Sequence, residues 1–283
     1  MGRTGSSMNN EWLKCPVIIP YLGGKFELSR KLVPMLPPHE RYIEMFAGGL
    51  SMFFRKPSVD WNVVNDVDND IVNLYISVVE RFDELASCIY WYPRSRTLFD
   101  EIKKEIHEGK EIDIPDPRRA ARYFFLIRTA FNKSVHGSFS KHSKKGWGDI
   151  LIKELKHSRK FFDKVTIENM DFRTLSERYD PRKKDCWYLD PPYVVSERGD
   201  YYFHGFGKQE HEDLKDIADL IDKNGGKFMI SYDSDDWIKE TYKDYNVQVI
   251  NTKYAGASEA REKVFEELVI MNYQPATQES LFT

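Results

Sequence analysis

Short apolar runs alternate with longer stretches of mixed polarity along this chain, and the alternation divides it into three sections. The first runs from about Cys15 to Val79. It holds a glycine-containing turn at Tyr21-Leu22-Gly23-Gly24-Lys25, a helix toward Met35, a strand at Tyr42-Ile43-Glu44-Met45 and a second strand at Asn62-Val63-Val64-Asn65 that stops at Asp66. Strand, glycine turn, helix, strand, acid is the grammar of a nucleotide-binding half-sheet. The middle section, about Ile71 to Lys164, has helical spacing through Leu74, Ile76 and Val79 and again through Tyr123 to Ile127, with a proline-bearing loop from Gly109 to Pro117. The last section returns to strands at Val165-Ile167, Cys186-Leu189, Lys227-Ser231, Val247-Ile250 and Glu267-Met271, with a helix from about His211 to Asp222 that stops near Gly225-Gly226. The polar stretch Thr252 to Lys263, with Gly256, reads as a mobile loop over a site.

Composition narrows the class. With 283 residues, 41% of them hydrophobic and 31% charged, the chain can bury a large core without covalent staples. Charge interrupts every apolar run before the ~20 residues a bilayer crossing needs. No membrane partner is expected. Residues 1–14 read as a polar disordered leader or expression remnant, with Met8 a possible natural start, and residues 276–283 as a frayed tail. Cys15, Cys88 and Cys186 are too few and too widely spaced for a disulfide framework or a zinc site, which suits a reducing compartment. The net charge of −3 excludes a uniformly basic nucleic-acid binder. One local exception stands between Lys141 and Lys164, where eight Lys/Arg face three acids; on charge alone this is a solvated helix face.

Gly48 and Gly49, in Phe46-Ala47-Gly48-Gly49, let the backbone turn tightly and approach a ligand closely. Asp66, 18 residues after Gly48, ends the next strand, where a carboxylate can accept the ribose hydroxyls of an adenosine. The pair suits a nicotinamide cofactor equally well. Asp171-Phe172 follows the third strand and could offer an acid to an adenine amine and an aromatic face to its ring; a surface turn with a core Phe is the plain alternative.

The most informative stretch is Trp187-Tyr188-Leu189-Asp190-Pro191-Pro192-Tyr193. Two prolines remove two backbone donors and fix φ near about −65°, so the chain stiffens where a carboxylate and an aromatic leave the sheet. Alkylation of an exocyclic amine needs such a corner, because the amine's lone pair is delocalised until its hydrogens are held out of plane. Asp190 and the carbonyl of Pro191 can accept those two N–H bonds. Tyr193 would stack on the base, a contact worth about 1–3 kcal/mol. A duplex base must be extruded to reach such a pocket.

The order of these motifs resembles the DNA adenine-N6 methyltransferases of the Dam-like, D12 class, which carry an Asp-Pro-Pro-Tyr tetrad; the likeness runs from about Pro20 to Tyr273. It implies an α/β fold, a mostly parallel seven-stranded Rossmann-like sheet with an antiparallel last hairpin and an inserted helical target-recognition region. Residues 15–70 and 165–275 would form the catalytic domain and 71–164 the insertion. Asp190, Pro191, Pro192 and Tyr193 would be catalytic, while Tyr21, Gly23, Gly24, Lys25, Phe46, Gly48, Gly49, Asp66, Asp171, Phe172 and Asp190 would bind S-adenosylmethionine. The product would be S-adenosylhomocysteine, no metal would be needed, and the partners would be double-stranded DNA and, functionally, a cognate restriction endonuclease. The place of action would be the cytoplasm, at the nucleoid through DNA.

Ala130-Phe131-Asn132-Lys133-Ser134 resembles the family's Phe-Asn-Gly step, but Lys133 replaces the glycine and the Arg and Asn that usually follow are absent. The target sequence is therefore not fixed by the likeness. Within it, Asn132, Lys133, Lys141, Lys144 and Lys145 become candidates for DNA contact, the lysines to phosphate. Alternatives are a cytosine-N4 or RNA adenine methyltransferase, a non-catalytic regulator that binds cofactor and DNA, and a nicotinamide oxidoreductase; the last leaves the tetrad unexplained. His136, His142, His157, His204 and His211 are not grouped at ligand spacing and read as surface or helix-terminal residues, and Met45, Met52 and Met170 as core filling.

Overall fold

The computed structural model describes residues 16–20, 25–141, 148–192, 206–253 and 264–275. Seven strands form one sheet: β1 (Arg41–Glu44), β2 (Trp61–Asn65), β3 (Val165–Glu168), β4 (Asp185–Leu189), β5 (Lys227–Asp233), β6 (Asn246–Lys253) and β7 (Val264–Met271). Their spatial order is β3-β2-β1-β4-β5-β7-β6. All neighbours are parallel except β7, which runs antiparallel to both β5 and β6. The chain starts at the middle of the sheet, winds out to β3 and crosses back to β4, so the topological switch lies between β1 and β4. Ligands of open α/β sheets bind at the carboxyl ends of the strands at such a point.

Both faces of the sheet are covered, which explains why its strands read as unbroken apolar runs. Alternation along β4 assigns the faces: Cys186 and Tyr188 join one core, Trp187 and Leu189 the other. The first core continues without a break into helices α2 (Asn69–Glu80), α3 (Phe82–Trp91), α4 (Arg96–His107), α5 (Pro117–Thr129) and α6 (Asp149–Arg159). The second lies under α7 (Phe172–Arg178), α8 (Lys208–Lys223) and α9 (Asp236–Thr241). A short helix, α1 (Ser29–Leu32), precedes β1.

Side-chain caps start most of these helices. Asp68 accepts from Asp70 N in α2, Ser95 from Leu98 N in α4, Asp116 from Arg118 N in α5 and Asp235 from Trp237 N in α9. Buried almost all round, α5 still carries four arginines, of which exposed Arg118 faces solvent and the other three are paired: Arg119 with Asp70 of α2 at 2.7 and 2.9 Å, Arg122 with Glu101 of α4 at 2.9 Å, Arg128 with Glu154 of α6 at 3.0 Å. Buried charge is tolerable only with such partners.

Two expectations from the sequence are corrected. Thr252 and Lys253 belong to β6 instead of a loop, because the β6–β7 ladder extends to the Lys253–Val264 pair; the rest of that stretch lies outside the described residues. The helix expected between the glycine turn and the second strand is a run of turns over 51–55, too short a connection for a helix, whereas His211, 2% exposed with its Nδ1 2.8 Å from the Tyr232 hydroxyl, takes the helix-terminal place expected for it, in the first turn of α8. Met45 and Met52 are fully buried, and Met170 packs against the second core.

Candidate active site

Four strand ends converge at the switch point. Beyond β1, Met45 N pairs with Tyr188 O and Ala47 N with Asn65 O, holding the Phe46–Gly48 turn across β4 and β2. Asn65, 2% exposed, staples three ends together: its amide donates to Met45 O and Met170 O, both at 3.0 Å, and its oxygen accepts from Met170 N. Gly48 has φ of 44°, which glycine adopts without the cost an L side chain incurs. Its N–H donates to Asp66 Oδ2 at 2.8 Å, and its carbonyl accepts from the Tyr75 hydroxyl of α2. Asp66 Oδ1 accepts from Asp68 N at 3.0 Å. Through these bonds Asp66 clamps the glycine turn against the start of α2.

Phe46 and Phe172 stand 5.7 Å apart, and Phe206, which the sequence did not single out, closes the group at 5.8 and 5.5 Å from them. Three rings at the ends of β1 and β3 provide an apolar wall of the kind a purine face prefers. Asp171 Oδ1 caps α7 through Arg173 N at 2.9 Å, and Oδ2 lies 3.1 Å from the Arg173 guanidinium. Arg173 also pairs with Asp213 and Glu210 of α8.

At the end of β4 stands Asp190, with 24% of its side chain exposed, and Pro191 behind it is buried. Ser231 of β5 donates its hydroxyl to Asp190 Oδ1 at 3.0 Å, and the Tyr188 hydroxyl lies 2.8 Å from Ser231 Oγ. Lys25 Nζ sits 3.4 Å from the same Oδ1 and 2.9 Å from Glu267 Oε2 of β7. Lys25 and Glu267 are 4% and 2% exposed. Among the described residues no partner reaches Asp190 Oδ2. Withdrawal from bulk water pushes the Asp190 carboxyl above its ordinary range; Lys25 pulls it down, Glu267 pushes it up and the Ser231 hydroxyl lowers it again. Glu44, at the end of β1, is driven by burial to about 8, although the Tyr42 hydroxyl and Phe53 N–H both donate to its Oε2. It therefore holds a proton at neutral pH.

The structure thus brings Lys25, Phe46, Gly48, Asp66, Phe172 and Asp190 to one end of the sheet. Tyr21, Gly23, Gly24, Tyr193, Lys144 and Lys145 lie outside the described residues. Lys133 is half-buried and donates its ammonium to Arg128 O at 2.8 Å, whereas Lys141 is exposed. Lys153, Lys156, His157 and Lys160 share an exposed face along and just beyond α6. Sequence reading missed Ser231 and Glu267. The available signal was polar character inside buried strands, Ser231 within Lys227–Asp233 and Glu267 within Val264–Met271. Among the described residues no three His, Cys, Asp or Glu side chains are grouped to hold a metal, and no helix is long and apolar enough to cross a membrane.

A doubly wound sheet with a glycine turn clamped by an acid, an aromatic wall and an Asp-Pro-Pro corner at its switch point defines an α/β group-transfer enzyme that handles a nucleoside-bearing cofactor. Residues 21–255 match the family model for D12 class N6 adenine-specific DNA methyltransferases, and the chain belongs to that family. Among its relatives is the Type II methyltransferase M1.LlaDCHI of Lactococcus lactis subsp. cremoris, 26% identical over 89% of this chain and 94% of that protein. The DNA adenine methylase of Salmonella typhi is 24% identical over 91% of this chain and 95% of its own length. The DNA N-6-adenine-methyltransferase of Escherichia phage P1 is 25% identical over 82% of this chain, which spans only 32% of that larger protein.

Proposed function

We propose that the chain transfers the methyl group of S-adenosylmethionine to N6 of an adenine swung out of duplex DNA, leaving S-adenosylhomocysteine. The state of Asp190 carries the reading. With Oδ1 engaged by Ser231 and Lys25, Oδ2, which no described residue reaches, is the oxygen offered to an N–H of a substrate amine. The carbonyl of Pro191 would take the second N–H, and Tyr193 would stack on the base. Holding both hydrogens out of the ring plane frees the nitrogen lone pair, which is positioning more than chemistry. S-adenosylmethionine, when bound, supplies a methyl group on a cationic sulfur, electrophilic enough to need no metal. Attack in line with the S–CH3 bond would form the N–CH3 bond as that bond breaks, its electron pair staying on sulfur. The proton that N6 must then lose departs along its hydrogen bond to Asp190.

The residues at the strand ends fit this donor. Asp66 would accept ribose hydroxyls, Phe46 and Phe172 would flank the adenine ring with Asp171 at its edge, and the Gly48-Gly49 turn would let the backbone come close. Tyr21, Gly23, Gly24 and Lys25 would complete the site. The helical residues 71–164 would recognise the target, with Asn132, Lys133, Lys141, Lys144 and Lys145 toward DNA, and a cognate restriction endonuclease would be the functional partner in the cytoplasm. Transfer of a labelled methyl group from S-adenosylmethionine to duplex DNA is expected for the native chain. It should fall by about a hundredfold or more in Asp190→Ala. Equal labelling by the two proteins would refute the role of Asp190, and label on cytosine would refute the adenine assignment.

A further inference from the structure

Arg173, in the first turn of α7, is held by three carboxylates, one before its own helix and two on α8. Its Nη1 lies 3.1 Å from Asp171 Oδ2, its Nη2 3.2 Å from Glu210 Oε1 and its Nε 2.6 Å from Asp213 Oδ2. Every nitrogen of the guanidinium thus has an acceptor, a fit that the planar fork of arginine allows and a lysine ammonium does not. The guanidinium carbon also stands 4.5 Å from the centroid of the Phe172 ring, a cation over an aromatic face. A second connection runs through Glu210, whose other oxygen, Oε2, accepts from Gly207 N at 2.8 Å and so fixes the backbone immediately after Phe206. The Arg173 side chain is 38% exposed, so water and salt weaken these pairs and their contribution to global stability is small. Their consequence lies in geometry instead. Phe172 and Phe206 stand 5.5 Å apart, and they lie 5.7 and 5.8 Å from Phe46.

We propose that Arg173 is a positioning residue for the purine end of the methyl donor: by stacking on Phe172 and bridging through Glu210 to the backbone after Phe206, it sets two of the three rings before a ligand arrives. This role rests on S-adenosylmethionine being the donor and on these rings meeting its adenine. A side chain that is already ordered is not immobilised again on binding, so the clamp acts on affinity. Arg173 touches no reacting atom, and the transfer step at Asp190 proceeds without it. Donor and product carry the same adenine, so the clamp serves both equally.

Calorimetric titration of the full chain with S-adenosylhomocysteine and, separately, with adenosine tests this, beside labelled methyl transfer to duplex DNA. Arg173→Gln removes both the stack and the bridge. Affinity for the two ligands is expected to fall by the same factor, about tenfold for two rings set loose. The KM for S-adenosylmethionine should rise alike while kcat at saturating donor stays as in the native chain. Arg173→Lys, which keeps the charge without the fork, should recover no more than about threefold of the loss. Glu210→Gln leaves Gly207 an acceptor but weakens the ion pair, so affinity should fall about threefold in the native background and no further in Arg173→Gln, because the effect passes through Arg173. Urea midpoints should stay near the native value. Unchanged affinity in Arg173→Gln, a loss confined to S-adenosylhomocysteine, additive losses in the double variant, or a loss that comes with a lowered midpoint and a lowered kcat each overturns the proposal. A native chain that binds both ligands with no methyl transfer to DNA overturns the catalytic reading and leaves the affinities to decide this one; a native chain that binds neither overturns both.

Discussion

Replacing Ser231 by alanine isolates the contribution of one hydroxyl to the state of Asp190. The Ser231 Oγ to Asp190 Oδ1 bond, 3.0 Å long, ends on a side chain with 24% exposure, and Ser231 itself is fully buried. A hydrogen bond to a charged group contributes about 1.5–3 kcal/mol, and about 1.4 kcal/mol is a factor of ten in an equilibrium. The hydroxyl favours the ionised carboxylate and so lowers its pKa; its loss raises it. Accepting an amine N–H requires the ionised form, so the acid limb of kcat/KM moves to higher pH in Ser231→Ala. At a pH on that limb the rate falls about tenfold, and it recovers on the alkaline side. Removal also leaves the buried Tyr188 hydroxyl without its Ser231 contact, costing about 1–3 kcal/mol of stability. Tyr188→Phe supplies the control, because it deletes that hydroxyl but spares the bond to Asp190, and its acid limb should stay in place. Profiles are read by labelled methyl transfer to duplex DNA below the unfolding temperature of each variant. A lowered plateau in Ser231→Ala with an unmoved limb would refute the reasoning.

Three further outcomes are expected. Burial raises Glu44 from its ordinary 4.5 to about 8, so the folded state keeps a proton that the unfolded state has released; that stability is complete below about pH 4.5 and is lost as pH rises to about 8. Glu44→Gln, with no proton to lose, should flatten the decline of unfolding free energy between about pH 5 and pH 8, whose limiting slope is about 1.4 kcal/mol per pH unit, and parallel urea curves would count against it. Lys184 has φ of 69° just before β4, and its ion pair with Glu40 is exposed. Lys184→Gly should therefore stabilise the chain by about 0.5–1 kcal/mol, read as a raised urea midpoint with unchanged slope. Reversing Lys144 and Lys145 to glutamate should weaken DNA binding on every sequence and reduce its salt dependence by about one unit of slope per lost phosphate contact; unchanged affinity at low salt removes these lysines from the interface.

Elements whose signal is local were legible in the sequence. Strands buried on both faces are short apolar runs bounded by acids or glycines, as Cys186–Leu189 before Asp190 and Lys227–Ser231 after Gly226 illustrate, and the structure extends them by only a few residues. The Asp-Pro-Pro corner and the Gly48–Asp66 pair were legible because each is one motif at one spacing. What stayed hidden depends on pairing between distant segments. Nothing near Glu267 in the chain indicates that β7 inserts between β5 and β6 and delivers it to Lys25. The local partners of Asp171 and Lys133, the Arg173 N–H and the Arg128 carbonyl, were equally invisible in the sequence. Lys133 also has φ of 54°, so the conformation a glycine would favour is kept where lysine stands in its place.

The ion pair between Lys25 and Glu267 joins positions 242 residues apart, one before the first strand and one on the last. A chain still being synthesised has Lys25 in hand long before it has Glu267, so the sheet can gather β1 to β5 while its charged centre stays incomplete. The closing strand is thus the last part of the chain to reach the strand ends, and a polypeptide cut short ahead of Val264 would bring Lys25 and Asp190 there without Glu267.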